Sequence, residues 1–182
     1  MHPFSPVATE RIRALDGWRA MSILLVLGAH LFPLGPHALR LNETAGAMGM
    51  ALFFTLSGFL ITRALLADSD VSAFLVRRFA RILPLAWVGL CFAALTLEDA
   101  FPQVWLAHFA FVANLPTPVL VDAASHYWSL CVEMQFYVGV ACLVAIVGRR
   151  GLLLLPILAL AVTAHRISTG ATIDIVTGAW WM

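Results

Sequence analysis

Apolar residues fall along the chain in long blocks separated by short polar ones. A bilayer core takes about 20 apolar residues in a helical span, within a range of roughly 17 to 25. The first block that approaches this length runs from Trp18 to Leu34; Pro33 and Pro36 end it, and the polar loop GPHALRLNET follows. The second runs from Ala45 to Leu66, with Arg63 near one end, where a long side chain can snorkel to the interface. The polar connection ADSDVSAFLVRRFARILP leads to a third, Ile82 to Leu97, which stops at Glu98-Asp99. Gln103 to Leu115 is apolar but short, and Pro116 and Pro118 break it. Trp128 to Val147 makes another block, followed by Arg149-Arg150, and Gly151 to His165 makes a last one. The pattern predicts an all-α, polytopic transmembrane helix bundle of about five to six spans.

Composition agrees with this pattern. The 182 residues are 62% hydrophobic and 12% charged, whereas a soluble domain is nearer half apolar and a quarter charged. The excess is spread over the whole chain, which excludes a soluble domain with one anchor. The net charge of +1 supplies no basic field for nucleic acid. Cys91, Cys131 and Cys142 all sit in apolar runs without metal-ligand spacing, so they read as buried small hydrophobes and no metal site is expected. Ser22 to Leu27 resembles a signal-peptide core, but Arg19 lies at its edge and no small-x-small cleavage site follows, so it reads as a retained helix.

Arginine placement orients the spans, because cytoplasmic loops carry the excess of basic residues. Arg11, Arg13 and Arg19 precede the first span, and Arg63, Arg77, Arg78 and Arg81 lie between the second and third. Only Arg40 lies between the first and second. The N-terminus and the Arg77–Arg81 segment are therefore placed in the cytoplasm. Arg149-Arg150 falls outside if Gln103 to Leu115 crosses fully, and inside if that segment is re-entrant or interfacial; its short length and the Pro-Thr-Pro break favour the second arrangement.

Four stretches carry chemistry. In LDGWRAMSILLVLGAH, Arg19 and His30 are eleven residues apart, about three helical turns, so they lie within roughly 20° of one face and about 16 Å apart along the axis. They read either as functional intramembrane groups or as a topology anchor and an interface residue. In LFFTLSGFLI, Ser57-Gly58 permits close backbone approach, for function or for simple packing. In RRFARILP, Arg78 and Arg81 are three apart, suited to phosphate or to lipid head groups. In HYWSLCVEMQFY, Glu133 heads an apolar helix with Trp128, Ser129, Gln135 and Tyr137 around it, and Glu133 and Tyr137 share a face. A buried glutamate needs a partner, functional or structural, such as an arginine on another helix.

Taken together and in order, LDGWRA through Arg19 to His30, LFFTLSGFLI, RRFARILP and WSLCVEMQFY resemble the integral-membrane acyltransferase 3 family over roughly Arg13 to Val147. Met134 departs from the second glutamate usual in the family. That family's domain has about ten helices, so residues 1–182 are expected to form a single transmembrane acyltransferase domain, incomplete at its C-terminus. The resemblance implies transfer of an acyl group, often acetyl, from cytoplasmic acyl-CoA to a hydroxyl of an envelope glycan. Acyl-CoA would be a co-substrate, and no permanently bound cofactor is expected. In that reading His30 is the general base, and Arg19 holds the donor or supports the oxyanion. Arg78, Arg81 and Ser57 belong to the donor's site, with the two arginines gripping nucleotide phosphates. Glu133 orients a base or pairs with an arginine, and Trp128 and Tyr137 line the acceptor path. The rival readings are a transporter-like protein with charges around a solute path, and an inactive remnant. His2, His37, His108, His126 and His165 receive no role and are expected mostly in loops or at the interface.

Overall fold

The computed structural model of the protein describes residues 12–68, 70–96, 101–115, 124 and 126–169, apart from the side chains of His37, Arg166 and Thr169. Among the described residues there are six α-helices and no strand: α1 (Arg13–Leu31), α2 (Leu41–Ala67), α3 (Val71–Thr96), α4 (Pro102–Phe109), α5 (Tyr127–Val147) and α6 (Leu154–Thr169). Short 3-10 turns cover His37–Leu39 and Arg149–Leu153. The chain divides into two compact units, Met1–Asp68 and Ser69–Met182.

Every apolar block of the sequence contains a helix. Three of them, α2, α3 and α5, are long and apolar enough to cross a membrane. The other three differ for physical reasons. Asp16, Arg19 and His30 dilute the apolarity of the 19-residue α1. The eight-residue α4 is about 12 Å long and α6 has 16 residues, both shorter than a full span.

Helix boundaries depart from the sequence blocks where local chemistry decides them. Phe32 is extended (φ −129°, ψ 142°) and ends α1, because the ring of Pro33 disfavours a helical residue before it. α2 begins four residues earlier than the apolar block, at Leu41, and takes in the last four residues of the polar loop. The polar connection before Ile82 is helical from Val71 onward and forms the first part of the continuous 26-residue α3, so Arg78 and Arg81 stand on a helix that leads into the third span. Asp70 starts that helix by accepting hydrogen bonds from the Ala73 amide (3.0 Å) and the Ser72 hydroxyl (2.7 Å). The Ala73 amide foremost, and then the Ser72 hydroxyl, hold the Asp70 carboxyl below the usual carboxylate range. Its contribution to this helix start is therefore full at neutral pH and is lost as the pH falls through the lowered value.

In the first unit α1 and α2 form an antiparallel hairpin with a small-residue seam. A Cβ placed on Gly49 would lie 2.7 Å from the Ser22 carbonyl oxygen and 2.8 Å from a Val26 methyl. Ser22 is fully buried, and its hydroxyl turns back to the Arg19 carbonyl (2.7 Å). Close backbone approach of this kind is how helices associate where lipid removes the hydrophobic drive between them.

In the second unit three side chains tie the helices together by donating to carbonyls. The Tyr127 hydroxyl donates to Ala86 (3.0 Å) and lies where a Cβ on Gly89 would be. Trp87 Nε1 donates to Phe109 (3.3 Å) at the end of α4. Gln135 Nε2 donates to Phe111 (2.9 Å) in the turn that follows, whose backbone is left-handed at Phe111 (φ 56°).

Gly49→Ala is expected to destabilise the first unit by about 1–3 kcal/mol, because backbone rather than a flexible side chain faces the new methyl. Thermal loss of helical circular dichroism in detergent checks this; an unchanged midpoint would show that the seam is looser than described.

Candidate functional site

The histidine singled out in the sequence lies at the C-terminal end of α1, and its ring is exposed. His30 Nδ1 is 2.7 Å from the Val26 carbonyl. A carbonyl can only accept, so Nδ1 carries the hydrogen, and in the neutral ring Nε2 carries the lone pair. His30 also borders an open cleft of about 330 Å³ between the end of α1 and the start of α2, with Phe32, Pro33, Pro36, Arg40 and Glu43 on its walls.

Asn42 builds this corner, and no motif pointed to it. Its amide hydrogens go to the carbonyls of Ala29 and Phe32 (2.6 Å each), and its oxygen accepts from the Leu34 amide (3.0 Å). Those carbonyls have lost their helical partners at the end of α1. The signal available in the sequence was an amide side chain in the first turn of an apolar helix. Beside it, Arg40 adopts a left-handed backbone (φ 47°, ψ 35°) and its guanidinium pairs with Glu43.

Arg19 lies three turns below His30 on the same helix, half-buried, with its guanidinium carbon 6.0 Å from the centre of the Phe53 ring. Ser57, in α2, is buried, and its hydroxyl has no hydrogen-bond partner among the described residues.

The second unit holds the other predicted residues. Arg78 is half-buried, its guanidinium carbon 5.6 Å from the centres of both the Phe74 and Tyr137 rings. Those rings meet edge to face at 6.1 Å. The Tyr137 hydroxyl donates to Glu133, one turn back on α5, and both side chains are buried. Guanidinium, phenol and carboxylate thus form one chain, and the partner of Glu133 is a tyrosine of its own helix rather than an arginine of another. Arg81 is exposed on α3, one turn beyond Arg78, and Trp128 is half-exposed in the first turn of α5.

His108 is an exception to the expectation that most of the unassigned histidines lie in loops or at the interface. It is in α4 and fully buried; Nδ1 faces the Val104 carbonyl (2.9 Å), and Nε2 has no partner among the described residues. The short length of α4 made its block look peripheral. The 110–115 turn that follows α4 is tied to α5, where Asn114 and Gln135 exchange amide hydrogen bonds (2.8 and 3.3 Å). The backbone N–H groups of Ala113 and Asn114 are directed at the buried Cys131 sulfur.

Three membrane-length helices with ionisable groups set at helix ends and against aromatic rings define an integral membrane protein of polytopic, all-α class. The chain belongs to the acyltransferase 3 family: the family's acyltransferase domain profile matches residues 12–181. It is 27% identical to OatA, the peptidoglycan O-acetyltransferase of Listeria monocytogenes, over 69% of this chain and 23% of the relative. It is 31% identical to YrhL of Bacillus subtilis, provisionally named as a peptidoglycan O-acetyltransferase, over 70% of this chain and 23% of that protein. A provisionally named O-acetyltransferase of Staphylococcus aureus strain COL is also 31% identical, over 70% and 24%. The matched region thus covers about a quarter of each of these relatives. No solved structure matches the chain.

Gln135→Leu is expected to free the 110–115 turn, because it leaves the Phe111 carbonyl and the Asn114 amide unpaired at about 1–3 kcal/mol. With Cys91 and Cys142 replaced by alanine, alkylation of Cys131 should then accelerate about tenfold or more, the factor that about 1.4 kcal/mol of opening energy supplies. An unchanged rate would show that the amide pair does not hold the turn.

Proposed function

We propose that this protein transfers an acyl group, acetyl in the simplest case, from an acyl-CoA to a hydroxyl of an envelope glycan. The observation that carries the reading is the ring of His30: Nδ1 is committed to Val26, so Nε2 is the basic atom, and it stands at an open cleft. A hydroxyl attacking a thioester must give up its proton, and imidazole exchanges protons near neutral pH. Family membership and the similarity to OatA, a peptidoglycan O-acetyltransferase, support the reaction class.

In this reading Arg78 and Arg81 take the phosphates of the donor. A guanidinium resting on Phe74 and Tyr137 keeps its edge N–H groups available for anion contact. Glu133 bonds the Tyr137 hydroxyl and so fixes the ring on which Arg78 rests; these two act as positioning residues, in place of the acceptor-path role first given to Tyr137. Arg19, held by Phe53 three turns from His30, offers donors to a pantetheine carbonyl or a phosphate further along the same acyl-CoA. Ser57 offers a hydroxyl to the donor, and Trp128 an aromatic face to the acceptor. The arginine distribution supports a cytoplasmic N-terminus in a bacterial inner membrane, which puts Arg78 and Arg81 on the side where CoA is made.

Acyl transfer is measured with the protein in membranes supplied with radiolabelled acetyl-CoA and extracted envelope glycan. His30→Gln is expected to lower kcat by about 10²- to 10⁴-fold, the usual worth of a general base. Transfer that survives this change would remove His30 from the reaction. Arg78→Lys keeps the charge but loses the planar stacking, and is expected to raise the KM for acetyl-CoA about tenfold, or about 1.4 kcal/mol, with kcat little changed. A fall in kcat alone would point to a role away from donor binding.

A further inference from the structure

The cleft beside His30 contains groups that the proton transfer itself does not use. The Arg40–Glu43 ion pair lies on its rim, with both side chains well exposed. Arg40 stays in a left-handed conformation that is unfavourable for a residue with a Cβ. Such strain is found where the surroundings demand it, often at ligand sites. Phe32, Pro33 and Pro36 add apolar surface to its lining. Asn42 cannot reach a ligand, because its amide is fully used on Ala29, Phe32 and Leu34.

We infer that this cleft is the acceptor subsite and that it takes one sugar ring, with a hydroxyl directed at His30 Nε2; the inference rests on the function proposed above. Three features match that chemistry. A sugar presents vicinal hydroxyls that donate and accept, and a carboxylate beside a guanidinium offers the complementary acceptors and donors. Its C–H face is apolar and suits a proline and phenylalanine wall. The volume of about 330 Å³ lies at the small end of ligand pockets, the size for a single ring rather than an extended chain. Arg40 is also the one arginine between the first two helices, which the arginine distribution places on the face opposite CoA, where envelope glycans lie. The reaction balances within these groups. The sugar oxygen bonds to the acyl carbon, and its proton passes to Nε2. The carbon–sulfur bond breaks, and the proton returns to the departing thiolate.

Binding is tested separately from turnover. The whole chain in nanodiscs is titrated with a tritiated β-1,4-linked N-acetylglucosamine trisaccharide, without any acyl donor. Saturable binding is expected, weakened about tenfold or more in Arg40→Gly and in Glu43→Gln and partly regained in Arg40→Lys. Glycine is chosen because it keeps the left-handed backbone without strain, and helical circular dichroism of each variant confirms folding. Uptake no greater than that of empty nanodiscs, or binding equal in wild type and both variants, overturns the inference. Consumption of acetyl-CoA is read in a parallel arm. Sugar binding with no thioester cleavage would refute the proposed function and leave the subsite standing, whereas cleavage without binding would do the reverse.

Discussion

In hydrocarbon a backbone carbonyl that loses its helical partner has no water to turn to, and each such loss costs several kcal/mol. Side-chain donors meet that constraint at the interruptions of this chain. Asn42 serves Ala29 and Phe32 where α1 ends, and Trp87 serves Phe109 where α4 ends. Gln135 serves Phe111 in the turn beyond. The corner that presents His30 exists because Asn42 completes it. The polar residues scattered through the apolar blocks are therefore mostly structural donors, and the few that remain free stand out as chemistry.

His30 and His108 illustrate the distinction. Both spend Nδ1 on the carbonyl four residues earlier and leave Nε2 as the basic atom. One ring is exposed beside a cleft and the other is fully buried in α4. Identical local bonding thus yields one nitrogen that an acceptor hydroxyl can reach and one that solvent cannot. Arg19 and Arg78 share a second device: each guanidinium lies against an aromatic ring of its own unit, which orients it and leaves its positive charge in place.

Much of this was readable from the residues. Block lengths gave the helices, the spacing of Arg19 and His30 put them on one face, and the four-residue step from Glu133 to Tyr137 gave their contact. The boundaries were less readable, because Asp70 and Asn42 turn polar stretches into helix, and polarity alone reads as loop. Of the partners open to Glu133, the one on its own helix, already within reach by the four-residue step, is the one that the fold uses. His108 and the 110–115 turn were hidden by their brevity. The turn is held to α5 by Asn114 meeting Gln135, a pairing across 21 residues that no local pattern announces.

The contact of Gly49 with Ser22 has a mechanical corollary. Backbone meets backbone there, with larger groups on either side, so α1 cannot slip along α2 or roll upon it without collision. Whatever displaces one helix carries the other. Arg19 and His30, at two levels of α1, are thereby joined by a stiff rod, and a push delivered to the arginine by a bound anion would arrive at the imidazole as translation rather than be lost in bending.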